Sequence, residues 1–584
     1  MTSTFYHRRS VARLLLALLL TALLSAVGVM PASAAYPRIS GEGSSWAGNA
    51  LDQWKANVGN SGAVVDYAPS GSSQGRKNFA NGLADFAVSE IPYTGDTADP
   101  QDQGVEPNFK YSMLPVVAGG TSFMYNLKVA GKRFERLNLS QSTLAKIFSG
   151  QIDNWNNPAI KADNPGVTLP NQRLTVVVRS DGSGATAQFT LWMLRQFPQD
   201  YAKLCQSTGQ CKSNSATSYY PTQGLGNFVS QKGSDGVTGY VKSNQFTINY
   251  DEYSYALNAA LPVANIKNAA GFFLKPTAQN VAVALVKAKI NMDSSSKNYL
   301  AQDLSEVYSY TDPRSYPLSA YSYMITPAQT TSRITADKGS SVGFFATYSL
   351  CEGQLSSEDL GYSPLPMNLV LAAMQQVRKI PGLDAATVAK LNKTSSGVTS
   401  GSSNPCNNPT FKPGDNPKQN QLVLTAPFPT GCAGECQNKA WALYGIKGKP
   451  IQKTVDNTGN PSTGGDDGTK NQGGAGAGAG GGNQQSTKTD GSQTSGSKST
   501  KKSTASGATN QKCDPDTGVC GDAGTQDGAG NAPVAGVPTT LASAEGWGAP
   551  QNLLILVGVL IVLLVLAPPL TARMVNRPRR DDQL

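Results

Sequence analysis

Three stretches of the chain share one arrangement: apolar residues, then a Gly/Ser turn, then a helix. The first is Gly41-Glu42-Gly43-Ser44-Ser45-Trp46, followed at helical spacing by Ala47, Leu51, Trp54 and Val58. The second is Ser70-Gly71-Ser72-Ser73-Gln74-Gly75. The third is Arg179-Ser180-Asp181-Gly182-Ser183-Gly184-Ala185-Thr186. Each offers unpaired backbone N–H groups at the positive end of a helix, with hydroxyls beside them, which is a ready anion site. The third adds Arg179, whose guanidinium fork suits an oxyanion. Any one of these loops alone reads as a plain Gly/Ser turn with no ligand. Three of them in one unit, one carrying an arginine, point to a shared tetrahedral anion.

Enzyme chemistry is poorly supplied. The 584 residues include one histidine, His7, which precedes the first apolar run. Beyond that run there is no imidazole for a Ser-His-Asp triad, a Cys-His pair or a metal site. Gly71-Ser72-Ser73-Gln74-Gly75 matches the G-x-S-x-G nucleophile elbow, but no histidine remains to act as its base. Ser294-x-x-Lys297 fits S-x-x-K without a K-T-G or S-D-N partner. The expectation is therefore a binding protein, not an enzyme, with no cofactor and no metal.

The elements that must position these loops read as α/β. Val64 to Tyr67, Asp85 to Ser89, Leu114 to Ala118, Thr121 to Tyr125 and Leu174 to Val178 have strand character. Helices are expected after Gly75, over Thr143 to Phe148, over Ala185 to Leu194, and from a Thr277 cap through Val281 and Leu285. Strands alternating with helices argue for a mostly parallel, covered sheet, whose ligand sites lie where strands feed helix N-termini.

The ends predict export and anchoring. Arg8, Arg9 and Arg13 precede an apolar run from Leu14 to about Val29, and Ala32-Ser33-Ala34 forms a cleavage pattern, so residues 1–34 read as a signal peptide. Within residues 552–570 the stretch Leu553 to Leu570 is apolar apart from Gly558 and the Pro568-Pro569 pair; Trp547 precedes it and Arg573, Arg577, Arg579 and Arg580 follow. That is the pattern of a C-terminal transmembrane helix with a basic cytoplasmic tail, 571–584. Between lie the binding domain at 35–390, a Cys/Pro-containing extension at 391–456 and a low-complexity tether at 457–551. A flexible tether of that size would hold the domain about 50–60 Å from the membrane. The net charge of +10 falls once the arginine-bearing ends are set aside, so nothing points to nucleic acid.

Eight cysteines in an exported chain favour disulfides. The near pairs are Cys205 with Cys211 and Cys513 with Cys520. Among the other four the preferred pairing is Cys351 with Cys406 and Cys432 with Cys436. The alternative is half a zinc site at Cys432-x-x-x-Cys436.

Residues 36 to about 384 resemble the PstS-type phosphate-binding proteins, the exported receptors of phosphate-specific ABC transporters. The resemblance rests on ISGEGSSW at Ile39 to Trp46, YAPSGSSQG at Tyr67 to Gly75, DFAVSE at Asp85 to Glu90, IFSGQIDNW at Ile147 to Trp155, Asn164-Pro165-Gly166, and RSDGSG at Arg179 to Gly184, in that order. It implies a periplasmic-binding-protein type II fold: two α/β lobes joined by crossover strands, with the ligand held dry in the cleft. By position it implies phosphate contacts from Ser45, Trp46, Ser72, Glu90, Arg179, Ser183, Gly184 and Ala185, with Asp181 orienting Arg179. Glu90 takes the place of the family's usual Asp, which accepts a hydrogen bond from the proton on phosphate. Ser45, Trp46 and Ala185 stand where the family usually has Thr, Phe and Thr. The implied partners are inorganic phosphate or a related oxyanion, an ABC transporter permease, and the membrane through the C-terminal helix. The alternative is a surface-displayed interaction or sensor protein that keeps the fold without transport.

Overall fold

The structure is a computed structural model that describes residues 36–94 and 105–438. The expected signal peptide, tether and C-terminal helix lie outside the described residues. So do Cys513 and Cys520, and with them the disulfide expected between the two. Among the described residues no helix is long and apolar enough to cross a membrane.

Two sheets organise the protein. The first comprises β1 (Ile39–Gly43), β2 (Val65–Ala68), β3 (Phe86–Ser89) and β4 (Tyr111–Ser122). The second is built on β5 (Tyr125–Asn126), β6 (Thr175–Arg179), β7 (Phe228–Gln231) and β8 (Thr247–Asn249). The chain then returns to the first sheet as β9 (Asp251–Glu252) and later β10 (Ser319–Pro327). The strand orders are β9-β4-β10-β3-β1-β2 and β7-β6-β8-β5. Each sheet carries its own helices, giving two α/β lobes.

The first sheet is mixed, which corrects the expectation of mostly parallel strands. Its β1, β2 and β3 are parallel, but β10 pairs antiparallel with both β3 and β4. The two strands expected at 114–118 and 121–125 are largely one, β4, which runs through Gly119 and Gly120 without turning. Those glycines serve close approach. A Cβ on Gly119 would lie 2.7 Å from the Trp46 ring, and one on Gly120 would strike Pro276.

Local sequence explains the elements beside the loops. β3 is buried along its whole length, as a strand covered on both faces must be. β6 reads Thr-Val-Val-Val-Arg, a β-branched run that packs well on a pleated surface. Helix α1 (Gly48–Gly59) buries Leu51, Trp54 and Val58 at helical spacing. Helix α2 (Ser72–Ala80) begins four residues earlier than expected, so Gly75 lies within it, close against Gly43. Helix α3 (Gly184–Gln196) is capped by Ser183, which accepts from Thr186 N, and is buried continuously from Gly184 to Met193. Helix α4 (Gly233–Ser243) follows β7.

The lobes are joined where β4 passes into β5 and where β8 passes into β9. Only Tyr250 separates β8 from β9. The two crossings lie side by side: Asn249 N donates to Met124 O at 2.9 Å, and Asp251 pairs with Ser122. This is the lobes-and-crossovers arrangement implied above.

The boundary expected at 390 falls inside a helix, Ala385–Thr399. Leu391, Val398, Cys406 and Phe411 are buried in the main core, and Cys351–Cys406 staples this segment to the body. The first lobe therefore runs on into the extension, because apolar side chains beyond 390 complete its core. Cys205–Cys211 and Cys432–Cys436 are also bonded, so the latter two are not half of a zinc site.

Candidate anion-binding site

The three Gly/Ser turns converge, and a fourth joins them from α4. Ser73 N donates to Gly182 O at 3.0 Å, tying the second loop to the third. Gly71, at φ 97°, approaches so closely that a Cβ there would lie 2.5 Å from Asp181 Oδ2. Ser45 Oγ lies 2.8 Å from Ser234 Oγ and accepts from Ser234 N at 3.1 Å, tying the first loop to α4. Gly233 N donates to Asp181 Oδ1 at 2.9 Å. The start of each helix exposes N–H donors, so their meeting place is electropositive without lysine.

Arg179, the last residue of β6, is 1 % exposed. Its Nε and Nη2 donate to the two oxygens of Asp181 at 2.8 and 2.5 Å. Its third nitrogen, Nη1, is held loosely, 3.4 Å from Ser234 Oγ and 3.8 Å from Asp251 Oδ2. Burial works against the guanidinium charge; the hydrogen bonds and charge of Asp181, helped by Asp251, more than offset it, so the pKa is raised. Burial also opposes the Asp181 charge, and Arg179 overcomes it, so that carboxyl stays below its ordinary range.

Glu90 follows directly on β3 and is 1 % exposed. Ser44 Oγ donates to its Oε1, Ser322 Oγ donates to the same oxygen at 2.9 Å, and Ser72 Oγ donates to Oε2 at 2.8 Å. This carboxylate faces the first turn of α3 across the cleft: a Cβ on Gly184 would collide with Glu90 Oε2 and lie 2.7 Å from Ser72 Oγ. Only glycine lets that helix end come so near.

Ser45, Ser72, Glu90, Arg179, Asp181, Ser183 and Gly184 thus share one neighbourhood. Trp46 and Ala185 enter it with buried apolar side chains. The Trp46 carbonyl accepts from Tyr362 Oη at 2.7 Å. The neighbouring Thr186 hydroxyl lies 2.5 Å from Tyr250 Oη, so it does not stand in for a hydroxyl at Ala185.

Four residues were missed from sequence: Ser44, Ser234, Asp251 and Ser322. Ser234 had a readable signal, since Lys232-Gly233-Ser234-Asp235-Gly236 ahead of Val237 and Val241 repeats the Gly/Ser-then-helix pattern. Asp251 and Ser322 lie within strands and carry no such signature. Asp251 is fully buried; its Oδ1 accepts from Ser234 Oγ at 2.9 Å and Glu252 N at 2.7 Å, and its Oδ2 has no hydrogen-bond partner. Burial pushes this carboxyl up to about 6, with Arg179 opposing. Burial also raises its neighbour Glu252. Among the described residues no His/Cys/Asp/Glu cluster could hold a metal ion.

Comparison with known proteins gives the same direction. A family model described as a PBP superfamily domain matches residues 29–352. The phosphate-binding protein PstS of Methanocaldococcus jannaschii is 31 % identical over 326 residues, covering 54 % of this chain and 79 % of that one. The phosphate-binding protein PstS of Xylella fastidiosa strain Temecula1 is 30 % identical over 335 residues, covering 57 % and 83 %. A PstS protein of Mycobacterium tuberculosis strain H37Rv is 33 % identical over 307 residues, covering 52 % and 76 %. A chain with this two-lobed fold, these converging loops and these relatives belongs to the PstS-type phosphate-binding proteins of the PBP superfamily.

Proposed function

We propose that the protein binds inorganic phosphate between its two lobes and delivers it to an ABC transporter permease. The observation that carries this is Arg179: buried, fixed by Asp181 through two nitrogens, and left with Nη1 facing the place where four helix starts meet. Phosphate oxygens would take Nη1 and the main-chain N–H groups at Gly184 and Ala185. The hydroxyls of Ser45, Ser72 and Ser183 add donors, Ser72 by rotating from Glu90 to the anion. Glu90 supplies the acceptor. A protonated oxygen of phosphate can donate to it, whereas sulfate has no proton to offer and would meet like charge. The crossings at Ser122 to Tyr125 and Asn249 to Asp251 are the hinge about which the lobes close and open.

Export by residues 1–34, and anchoring by residues 552–570 on a tether, complete this reading. What supports them is the sequence pattern at the two ends. Anchoring would keep the receptor beside its permease. The test is calorimetric titration of the protein, dialysed free of phosphate, with phosphate and then sulfate. Binding of phosphate at least a hundredfold tighter than sulfate supports the reading; no heat with either anion from folded protein overturns it.

A further inference from the structure

The site holds one fixed cation and three carboxyls: Arg179 against Asp181, Asp251 and Glu90. Asp181 is spent on holding Arg179, and Glu90 has three hydroxyl donors. Asp251 differs. It is fully buried, one of its oxygens has no hydrogen bond, and that oxygen lies 3.8 Å from the one Arg179 nitrogen that Asp181 does not use. A buried, unpartnered carboxylate oxygen is costly unless something arrives to meet it. An anion seated on Nη1 comes within reach of Oδ2, and two like charges there cannot both persist in a dry site.

We propose that Asp251 is a proton-coupled member of the anion site: it takes up a proton from solvent as the oxyanion binds, and its new O–H donates to an oxygen of the bound anion. The inference rests on the phosphate reading above. No bond other than O–H forms or breaks. Burial disfavours the ionised form of Asp251 most strongly and Asp181 adds to that, while Arg179, the Glu252 N–H and the Ser234 hydroxyl favour it; the neighbouring Glu252 carboxyl is itself raised by burial. Tyr250, Tyr255 and Tyr362 stay neutral because burial raises their pKa values. Asp251 is therefore the group with both the geometry and the freedom to change charge. Its free-form value of about 6 means that a nearby anion need move it little to protonate it near neutrality.

The test is titration calorimetry of the full chain with inorganic phosphate, at pH 7 to 9, in pairs of buffers with different ionisation heats. The natural chain and Asp251→Asn are compared, so that the proton balance of phosphate itself cancels. The natural chain should take up close to one more proton per anion than the variant, and its affinity should fall up to about tenfold more per pH unit. Equal proton counts in two chains that both bind phosphate overturn the proposal and leave the phosphate reading intact. No phosphate binding by the natural chain overturns both. Infrared difference spectra supply a second readout that does not need the variant to fold. Phosphate should bring up a protonated-carboxyl band in the natural chain. No band, or a band that survives in Asp251→Asn, overturns the proposal.

Discussion

The protein builds the same arginine device twice. Arg179 is gripped by Asp181, two residues later, through Nε and Nη2; Arg314 is gripped by Asp312, two residues earlier, through the same two nitrogens at 3.0 and 2.8 Å. Both arginines are essentially without solvent exposure. The difference lies in the third nitrogen. Arg314 Nη1 donates to Val423 O at 3.0 Å and Ala426 O at 3.5 Å, and the Phe428 ring covers the guanidinium at 4.6 Å. All three of these groups belong to the extension it fastens. Arg179 Nη1 has only a long contact to Ser234 and a distant carboxylate. Burial and an aspartate partner are common to both, so neither marks a binding arginine. A donor held in place but not used up does.

The sharpest way to break this comparison is to remove each guanidinium in turn. Arg179→Ala should abolish phosphate binding, with a loss of at least a hundredfold in affinity. It also leaves Asp181 and Asp251 buried without their cation. Arg314→Ala should leave phosphate affinity within a factor of two and cost about 3–5 kcal/mol of stability, the usual penalty for orphaning one partner of a buried pair. Calorimetric titration and urea denaturation of the two variants decide it. If Arg314→Ala weakens binding as much as Arg179→Ala, the third-nitrogen argument is wrong.

Next in size is the staple on the structural side. Cys351 and Cys406 close a separation of 55 residues between the body and the extension that Arg314 fastens. In the chain-entropy account, replacing both with alanine should cost about 4 kcal/mol. Replacing Cys205 and Cys211, only 6 apart, should cost about half of that. Phosphate affinity should be unchanged in both, because neither bond touches the converging loops.

On the binding side, one substitution should stabilise. Asp251 titrates in the folded protein near 6, above the ordinary 3.8, so ionising it works against folding. That penalty is absent below the unfolded value and complete above the folded one, the reverse of a salt-bridged aspartate. Its full size is on the order of 3 kcal/mol. Asp251→Asn keeps an acceptor for Ser234 and Glu252 N and removes the penalty. Without phosphate, the variant should therefore match the natural chain at pH 4 and exceed it by about 2–3 kcal/mol at pH 7. Equal stability at both pH values in urea melts would show that burial does not strain this carboxyl.

How much of this was legible follows the same division. The Gly/Ser turns could be read because helix starts impose a local chemistry: capping hydroxyls, glycines for close approach, and an apolar stripe after them. The three loops and the arginine at Arg179 were visible that way, while the choice of Ser45, Ser72, Asp181, Ser183 and Gly184 within them, and of Glu90, came from the family resemblance. Ser234 obeys the same rule and was simply overlooked. Asp251 and Ser322 could not be found so, because strands place single side chains in a site by topology, with no local signature. Ser322 reaches Glu90 across 232 residues of sequence. Gly119 and Gly120 misled for a related reason: they resemble a turn, yet a long strand uses them to make room for Trp46 and Pro276. Likewise the Pro/Asn-rich composition after 390 suggested a separate extension, while Leu391, Val398 and Phe411 bury themselves in the core.

Glu90 tests the finer half of the comparison, whether the site's acceptors are reserved as its donors are. In this form both its oxygens take serine hydroxyls, Ser44 and Ser322 on Oε1 and Ser72 on Oε2. Glu90→Gln preserves the first oxygen and its two donors, and turns the second into an N–H₂ pointing at Ser72 and the start of α3. The change replaces an acceptor that favours a protonated oxyanion with a donor that favours any oxyanion. Sulfate should therefore gain and phosphate lose, each by about 1 kcal/mol, the usual worth of one neutral hydrogen bond. The preference for phosphate over sulfate would shrink by about thirtyfold with total anion affinity largely kept. Competition titrations of the variant measure the ratio directly. An unchanged ratio would mean that Glu90 serves only to hold Ser44, Ser72 and Ser322, as Asp312 holds Arg314.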